Sequence, residues 1–399
     1  MVTKTREKRL TGAMVLTLLM AFGAAQAAFA ASTWLGSVPS EVPTRIALDG
    51  QGAVYVTESR GKNVLRVYDR TGKLLRTLSG LQGPGGVHVD GQGRIYIASL
   101  TKNSVDVYTS ELVYSHSLGA GKNEFKSPHS VVVSSSGLIY VSDAKDNKVK
   151  VYNPNGTQAF VFGGWGKGNG QFNSPLGMAI NGAGELFVLD WQSVVTPDGE
   201  TAGARIQVFD PQGNYLRSFG QFGTGEGKMV RPLDIALGQG GRIYVADGYQ
   251  GVVHVFDSAG NPAETIFDPV HPTKTPIGLA VGKDNQVFIA SNNQKNIEIF
   301  CMAGCTTMDV TPAKLSFSSV VGAVPAAQSV SIKNSGSGTL EWSAAAAPGW
   351  ITLTKTDATT LSVNLAGKNL AIGTYSGAVT VTATTGATAT VAVELTVNE

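Results

Sequence analysis

The chain has 399 residues, 31 Lys and Arg against 29 Asp and Glu, a formal charge of +2 and only 15% charged residues. Such a length suggests two or three domains. The near balance of charge, without a basic run, excludes the clustered Lys and Arg that nucleic-acid phosphates demand.

Residues 1–30 read as an export signal. Lys4, Arg6, Lys8 and Arg9 open it, an apolar run from Ala13 to Ala24 follows, and Ala28-Phe29-Ala30 places small residues before a cut after Ala30. The run is shorter than the ~20 residues of a membrane span, and no second long apolar stretch follows. The expectation is a soluble mature chain without a membrane span, in the periplasm or outside the cell. Removing the signal takes away four basic residues and one acidic one, Glu7, and leaves the remainder near neutral.

Internal repetition comes next along the chain. Six segments share a proline, at Pro43, Pro84, Pro128, Pro175, Pro232 and Pro276, and an aromatic, at Tyr55, Tyr96, Tyr140, Phe187, Tyr244 and Phe288. Both series advance by 41, 44, 47, 57 and 44 residues, so two independent markers keep one register. Within a unit, IALDGQGAVYV reads strand, glycine turn, strand, and VLRVYDRTGKLLRTL reads strand, turn, strand. Four strands per unit of about 45 residues make one propeller blade. The expected fold is all-β: a six-bladed β-propeller over 31–309, then an Ig-like β-sandwich over 310–399. The sixth unit stops at Phe300, where CMAGC replaces an outer strand, so Thr33 to Val38 is expected to supply the outer strand of the last blade and cover its edge.

The stretches FGGWGKGNGQFNSPLGMAINGAGELFVLD and FGQFGTGEGKMVRPLDIALGQGGRIYVADG resemble the NHL repeat. The resemblance runs from Pro43 to Phe300 and is best in units three to five; Glu58, Ser99 and Ser291 replace the Asp that ends the second strand in units one, two and six. It implies a propeller and leaves activity open, because this scaffold hosts binders, signalling modules and enzymes. Cys301 and Cys305, with three residues between them, are expected to pair as a turn staple in an oxidising compartment. Beyond Asp309 the chain turns to Ser, Thr, Ala and Gly with short alternating runs such as QSVSIKN and TVAVELTV, which point to a sandwich. Its order resembles the BACON-type modules of exported bacterial proteins, which implies a spacer or a carbohydrate contact. Trp342 and Trp350 are either core aromatics or, for Trp350 with Tyr375, a sugar platform.

Ligands of a propeller meet the axial channel or the face carrying the loops between second and third strands. Asp143, Asp190 and Asp247, with Glu58, end the second strands; they either ring a cation or basic ligand, or accept backbone hydrogen bonds in the following turn. The second residue after each repeat proline should face the axis, where Arg45 and Asp234 stand among Gly86, Ser130, Gly177 and Gly278. They either pair across the channel or contact a ligand. Unit four carries the insertion DWQSVVTPDGETAGARI, whose Trp191, Asp198 and Glu200 mark a binding edge, since loops on a rigid scaffold carry function.

SPHSVVVSSSGLIYVSDA and ADGYQGVVHVF resemble segments of the peptidyl-hydroxyglycine α-amidating lyases, a resemblance that would make His129 a zinc ligand and Tyr249 catalytic. Zinc needs about three protein ligands, and the equivalent positions carry Thr44, Gly85, Leu176, Leu233 and Ile277. A lactone hydrolase of the gluconolactonase type has Glu58, Asn147 and Asp190 available in kind, without a local motif. No nucleophile elbow, phosphate loop or nucleotide fingerprint occurs. The reading favours a recognition protein, binding a protein or glycan partner through the propeller loop face, over an enzyme. It calls for no cofactor, with calcium or zinc as the ions a rim would take.

Overall fold

A computed structural model describes residues 32–119, 121, 124–191, 203–365 and 370–399; the expected export signal lies outside them. Blade one shows how the sequence makes a unit. The inner strand β1 (Pro43–Leu48) starts on a proline, the strand position where a missing N–H costs no ladder bond. The strands β2 (Val54–Glu58), β3 (Val64–Tyr68) and β4 (Leu74–Leu78) follow, and the four pair in sequence order. β2 is buried along its whole length while β4 is largely exposed. The near-continuous apolar run VYVTE therefore belongs to a strand covered on both faces.

The hairpins repeat one device. Asp49 Oδ1 accepts the N–H groups of Gln51 and Ala53, both at 2.9 Å, and Gly52 adopts φ +83°, a region that favours glycine. Asp69, Asp90, Asp210 and Asp257 bond their own turns in the same way.

Five further four-stranded sheets begin at Pro84, Pro128, Pro175, Pro232 and Pro276. Each inner strand packs on the inner strands to either side, the last of them on β1, so the sheets close a propeller ring. The sixth sheet takes its outer strand from the N-terminal side: Thr33–Pro39 pairs antiparallel with Asn296–Cys301, with a bulge between Trp34 and Gly36. Val38 buries there against Ile46, Val54, Phe288 and Ile297.

The chain then forms two more four-stranded sheets. One is ordered Asp309–Thr311, Gln328–Lys333, Thr360–Leu365, Ile351–Lys355; the other is Lys314–Val320, Thr388–Asn398, Gly373–Ala383, Trp342–Ala347. Lys314–Val320 and Thr388–Asn398 run parallel. Leu315, Val330, Trp342, Leu361, Val379 and Val393 share their core. Trp342 is 5% exposed and donates Nε1–H to Ala358 O at 2.6 Å. Trp350 packs on the same core with its ring edge-on to Tyr375. Cys301 and Cys305 are joined by a disulfide, with Cα atoms 5.4 Å apart.

Candidate functional site

One face of the ring, the loop face, holds the starts of the inner strands, the loops from second to third strands and the connections between blades. The hairpin face lies opposite. At the axis the inner strands crowd: a Cβ on Gly86 would lie 2.6 Å from His129 O, and one on Gly278 would lie 2.6 Å from Thr44 O. Among the second residues after the repeat prolines, Arg45 and Asp234 carry the long side chains, and they meet.

Arg45 Nε lies 3.7 Å from Asp234 Oδ2, with both residues more than nine-tenths buried. Arg45 also donates Nη2–H to Leu233 O at 3.0 Å and Nη1–H to Thr44 O at 3.0 Å and to Ile277 O. Asp234 Oδ2 accepts the Leu279 N–H at 3.0 Å. Burial lowers the Arg45 pKa while Asp234 opposes the shift; burial raises the Asp234 carboxyl while Arg45 and backbone N–H groups oppose it. The pair spans the ring from blade one to blade five. Below it a channel of about 240 Å³ runs to Leu48, Ile180, Leu237 and Val281 at the hairpin end.

His129 sits at the loop-face end, with Nε2 3.5 Å from Arg45 Nη2. Burial, and then the Arg45 charge, push its pKa down to about 3. Zinc does not fit here: the imidazole faces a fixed guanidinium, and Thr44, Gly85, Leu176, Leu233 and Ile277 offer no ligand set. Asn147 Oδ1 accepts the Ser174 N–H at 2.9 Å.

The second-strand carboxylates are spent on structure. Asp143 accepts the Lys126 and Ser127 N–H groups and the Lys150 ammonium, each at 2.8 Å. Asp190 accepts Asn173 N–H at 2.7 Å and Arg205 Nε–H at 3.1 Å. Asp247 accepts the N–H groups of Val230, Arg231, Tyr249 and Gln250. Burial alone would raise the Asp247 pKa, but bonds from His254, Gln250 and the backbone outweigh it and hold the carboxyl well below the usual range. Glu58 accepts Glu41 N–H and pairs with Arg66. All four are 0% exposed, so they anchor entry loops and present no rim of charge to a ligand.

Trp191 is half-buried against the core of blades four and five, while residues 192–202, with Asp198 and Glu200, lie outside the described residues. Tyr249, in the blade-five loop, is 70% exposed. The structure adds two aromatics on the same face: Trp165, 75% exposed, and Phe222, 45% exposed, in the connections that lead into blades four and five. Both lie inside the glycine-rich stretches FGGWGKGNG and FGQFGTGEG. Exposed Lys145 and Lys228 stand on neighbouring loops.

Residues 125–152 match the NHL repeat. Over 76 residues the chain is 32% identical to Protein brain tumor of Drosophila melanogaster, a stretch covering 19% of this chain and 6% of that protein's length. Among solved structures, virginiamycin B lyase from Staphylococcus aureus is similar with a TM-score of 0.50 and 12% identity, over 68% of this chain and 99% of that one. A gluconolactonase from Xanthomonas campestris is similar with a TM-score of 0.50 and 16% identity, over 68% and 98%. At such identities the likeness is one of fold, a β-propeller.

Proposed function

We propose that the chain is an exported recognition protein whose loop face, around blades three to five, binds a protein partner, with the C-terminal sandwich as spacer or second contact. The observation that carries this reading is the set of exposed aromatics, Trp165, Phe222 and Tyr249, on the face around the buried Arg45–Asp234 pair. Large aromatics left in water contribute nothing to the core, and interface hot spots are enriched in Trp and Tyr. Rigid blades supply the preorganised base on which such loops act. No chemical step follows from the site, because the second-strand carboxylates, Arg45 and Asp234 are all held by the fold.

The test compares the mature protein with Trp165→Ala/Tyr249→Ala in capture from envelope extracts, followed by affinity measurement on the partner recovered. The double variant should bind at least tenfold more weakly, since one hot-spot aromatic is worth about 2 kcal/mol, with an unchanged melting curve. Equal capture by both proteins would remove the loop face from the reading. Capture of glycan alone would change the partner class.

A further inference from the structure

The sandwich gathers its exposed apolar side chains at one end. The large hydrophobic residues that it leaves in water are, among the described residues, Val320, Val321, Val324 and Ile372, each 48% or more exposed. The strand order brings them together. Val320 pairs with Asn398 on one side of the strand Thr388–Asn398, and Gly373, next to Ile372, pairs with Val397 on its other side. Neighbouring strands lie ~4.8 Å apart, so the two aliphatic loops stand about 10 Å from each other. The strand Gly373–Ala383, at ~3.3 Å per residue, sets them roughly 33 Å from the hairpin at Gly386, where the sandwich meets blade one at Gly50. Elsewhere the strands turn Ser and Thr outward, as at Ser316, Ser318, Ser329 and Thr396. The patch is therefore a projecting tip at the end of the sandwich away from the propeller.

The chemistry of the tip selects what covers it. Its backbone is bonded within the chain: Val321 N–H donates to Asn398 O and Ala323 N–H to Val320 O, both at 3.1 Å, around Gly322 at φ +80°. The Ser319 hydroxyl donates to Ala323 O and the Tyr375 hydroxyl to Ala371 O, both at 2.9 Å. Polar groups satisfied in this way lose little on leaving water for hydrocarbon. Residues 315–327 and 370–382 hold no Asp, Glu, Lys or Arg, so these segments bring no formal charge to be desolvated. Protein interface hot spots are rich in Trp, Tyr and Arg and poor in Val. The exposed set here has the opposite make-up, and Val and Ile favour hydrocarbon. A projecting knob of branched aliphatics thus matches the surface of a lipid bilayer rather than a protein groove. The Glu399 carboxylate, exposed beside Asn398, disfavours an anionic headgroup and leaves a zwitterionic one.

We propose that this tip docks the protein on a zwitterionic lipid surface, with Val321, Val324 and Ile372 immersed about 5–10 Å into the boundary between headgroups and acyl chains. The surface is separate from the loop face and stands whether or not that face binds protein. Full-length mature protein is floated with vesicles of phosphatidylcholine and phosphatidylethanolamine, and with the same vesicles carrying phosphatidylglycerol. It should partition onto the first set, with no gain from phosphatidylglycerol and no loss at high salt. Val321→Asp/Ile372→Asp should lower the vesicle partition coefficient about tenfold or more, and Trp165→Ala should leave it unchanged. Both substituted side chains are exposed, so the melting curve of the double variant should stay in place and any loss of binding belongs to the tip. Absence of flotation in excess lipid overturns the proposal, as does flotation that survives the double variant or that requires phosphatidylglycerol. Self-association that the double variant abolishes, without vesicle binding, would also overturn it and assign the tip to contact between copies of the chain.

Discussion

Arg45 and Asp234 occupy the axial position that Gly86, Ser130, Gly177 and Gly278 leave small, and each is the charge partner of the other. Removing one partner of a buried pair leaves an uncompensated charge and costs ~3–5 kcal/mol, whereas replacing both by apolar groups is often neutral. Arg45→Met should therefore lower the unfolding free energy read from urea titration by that order, and Arg45→Met/Asp234→Leu should restore most of it. A double variant as unstable as the single one would mean that the contacts of Arg45 with backbone carbonyls matter more than the pair. The sequence marks both residues as unusual by their register, but the pairing joins positions 189 residues apart and requires the closed ring. Trp165 and Phe222 stay hidden among the glycines of the repeat, because loops without alternation carry no signal for which side chains face water.

At the scale of the element, the proline and aromatic markers fall on inner and second strands throughout, since tandem copies of one pattern meet one environment. Of the carboxylates that end the second strands, Asp247 accepts N–H groups of the following turn as expected, from Tyr249 and Gln250, while others find partners behind them. Asp143 reaches back to Lys126 and Ser127 in its own blade's entry, and not forward to a turn alone. Local turn rules cover only the forward direction. The closing strand Thr33–Pro39 was legible because the sixth unit lacks an outer strand of its own. Unlike the outer strand β4, it buries a side chain deeply, Val38 at 8% exposure. Val38→Asp places a carboxylate there without a partner and should cost roughly 3 kcal/mol or more. Limited proteolysis should then release the segment before Ser40 under conditions where the parent protein resists. Resistance equal to the parent would show that the ring does not depend on this clasp.

Over the whole molecule, the acid side of the stability curve is set by groups whose protonation differs between folded and unfolded chains. His88 is pushed down to about 4, by burial against a smaller opposing effect of Asp90, and His129 to about 3. An unfolded histidine takes up its proton near pH 6.5, so between that pH and the folded values the unfolded chain binds more protons and stability falls as pH falls. Asp247, held low in the fold, adds a loss of the same sign at still lower pH, below the ordinary carboxylate range. Asp234 and Glu264, raised by burial, act in the opposite direction, because the folded protein takes up their protons first. The histidine contribution is isolated by comparing the parent with His88→Gln/His129→Gln in scanning calorimetry from pH 7.5 down to 4.5. The parent should lose more melting temperature over that interval than the double variant, with the two curves running parallel above pH 7. Parallel curves throughout would mean that both imidazoles titrate normally, and that the axis around Arg45 admits water freely enough to solvate a second charge.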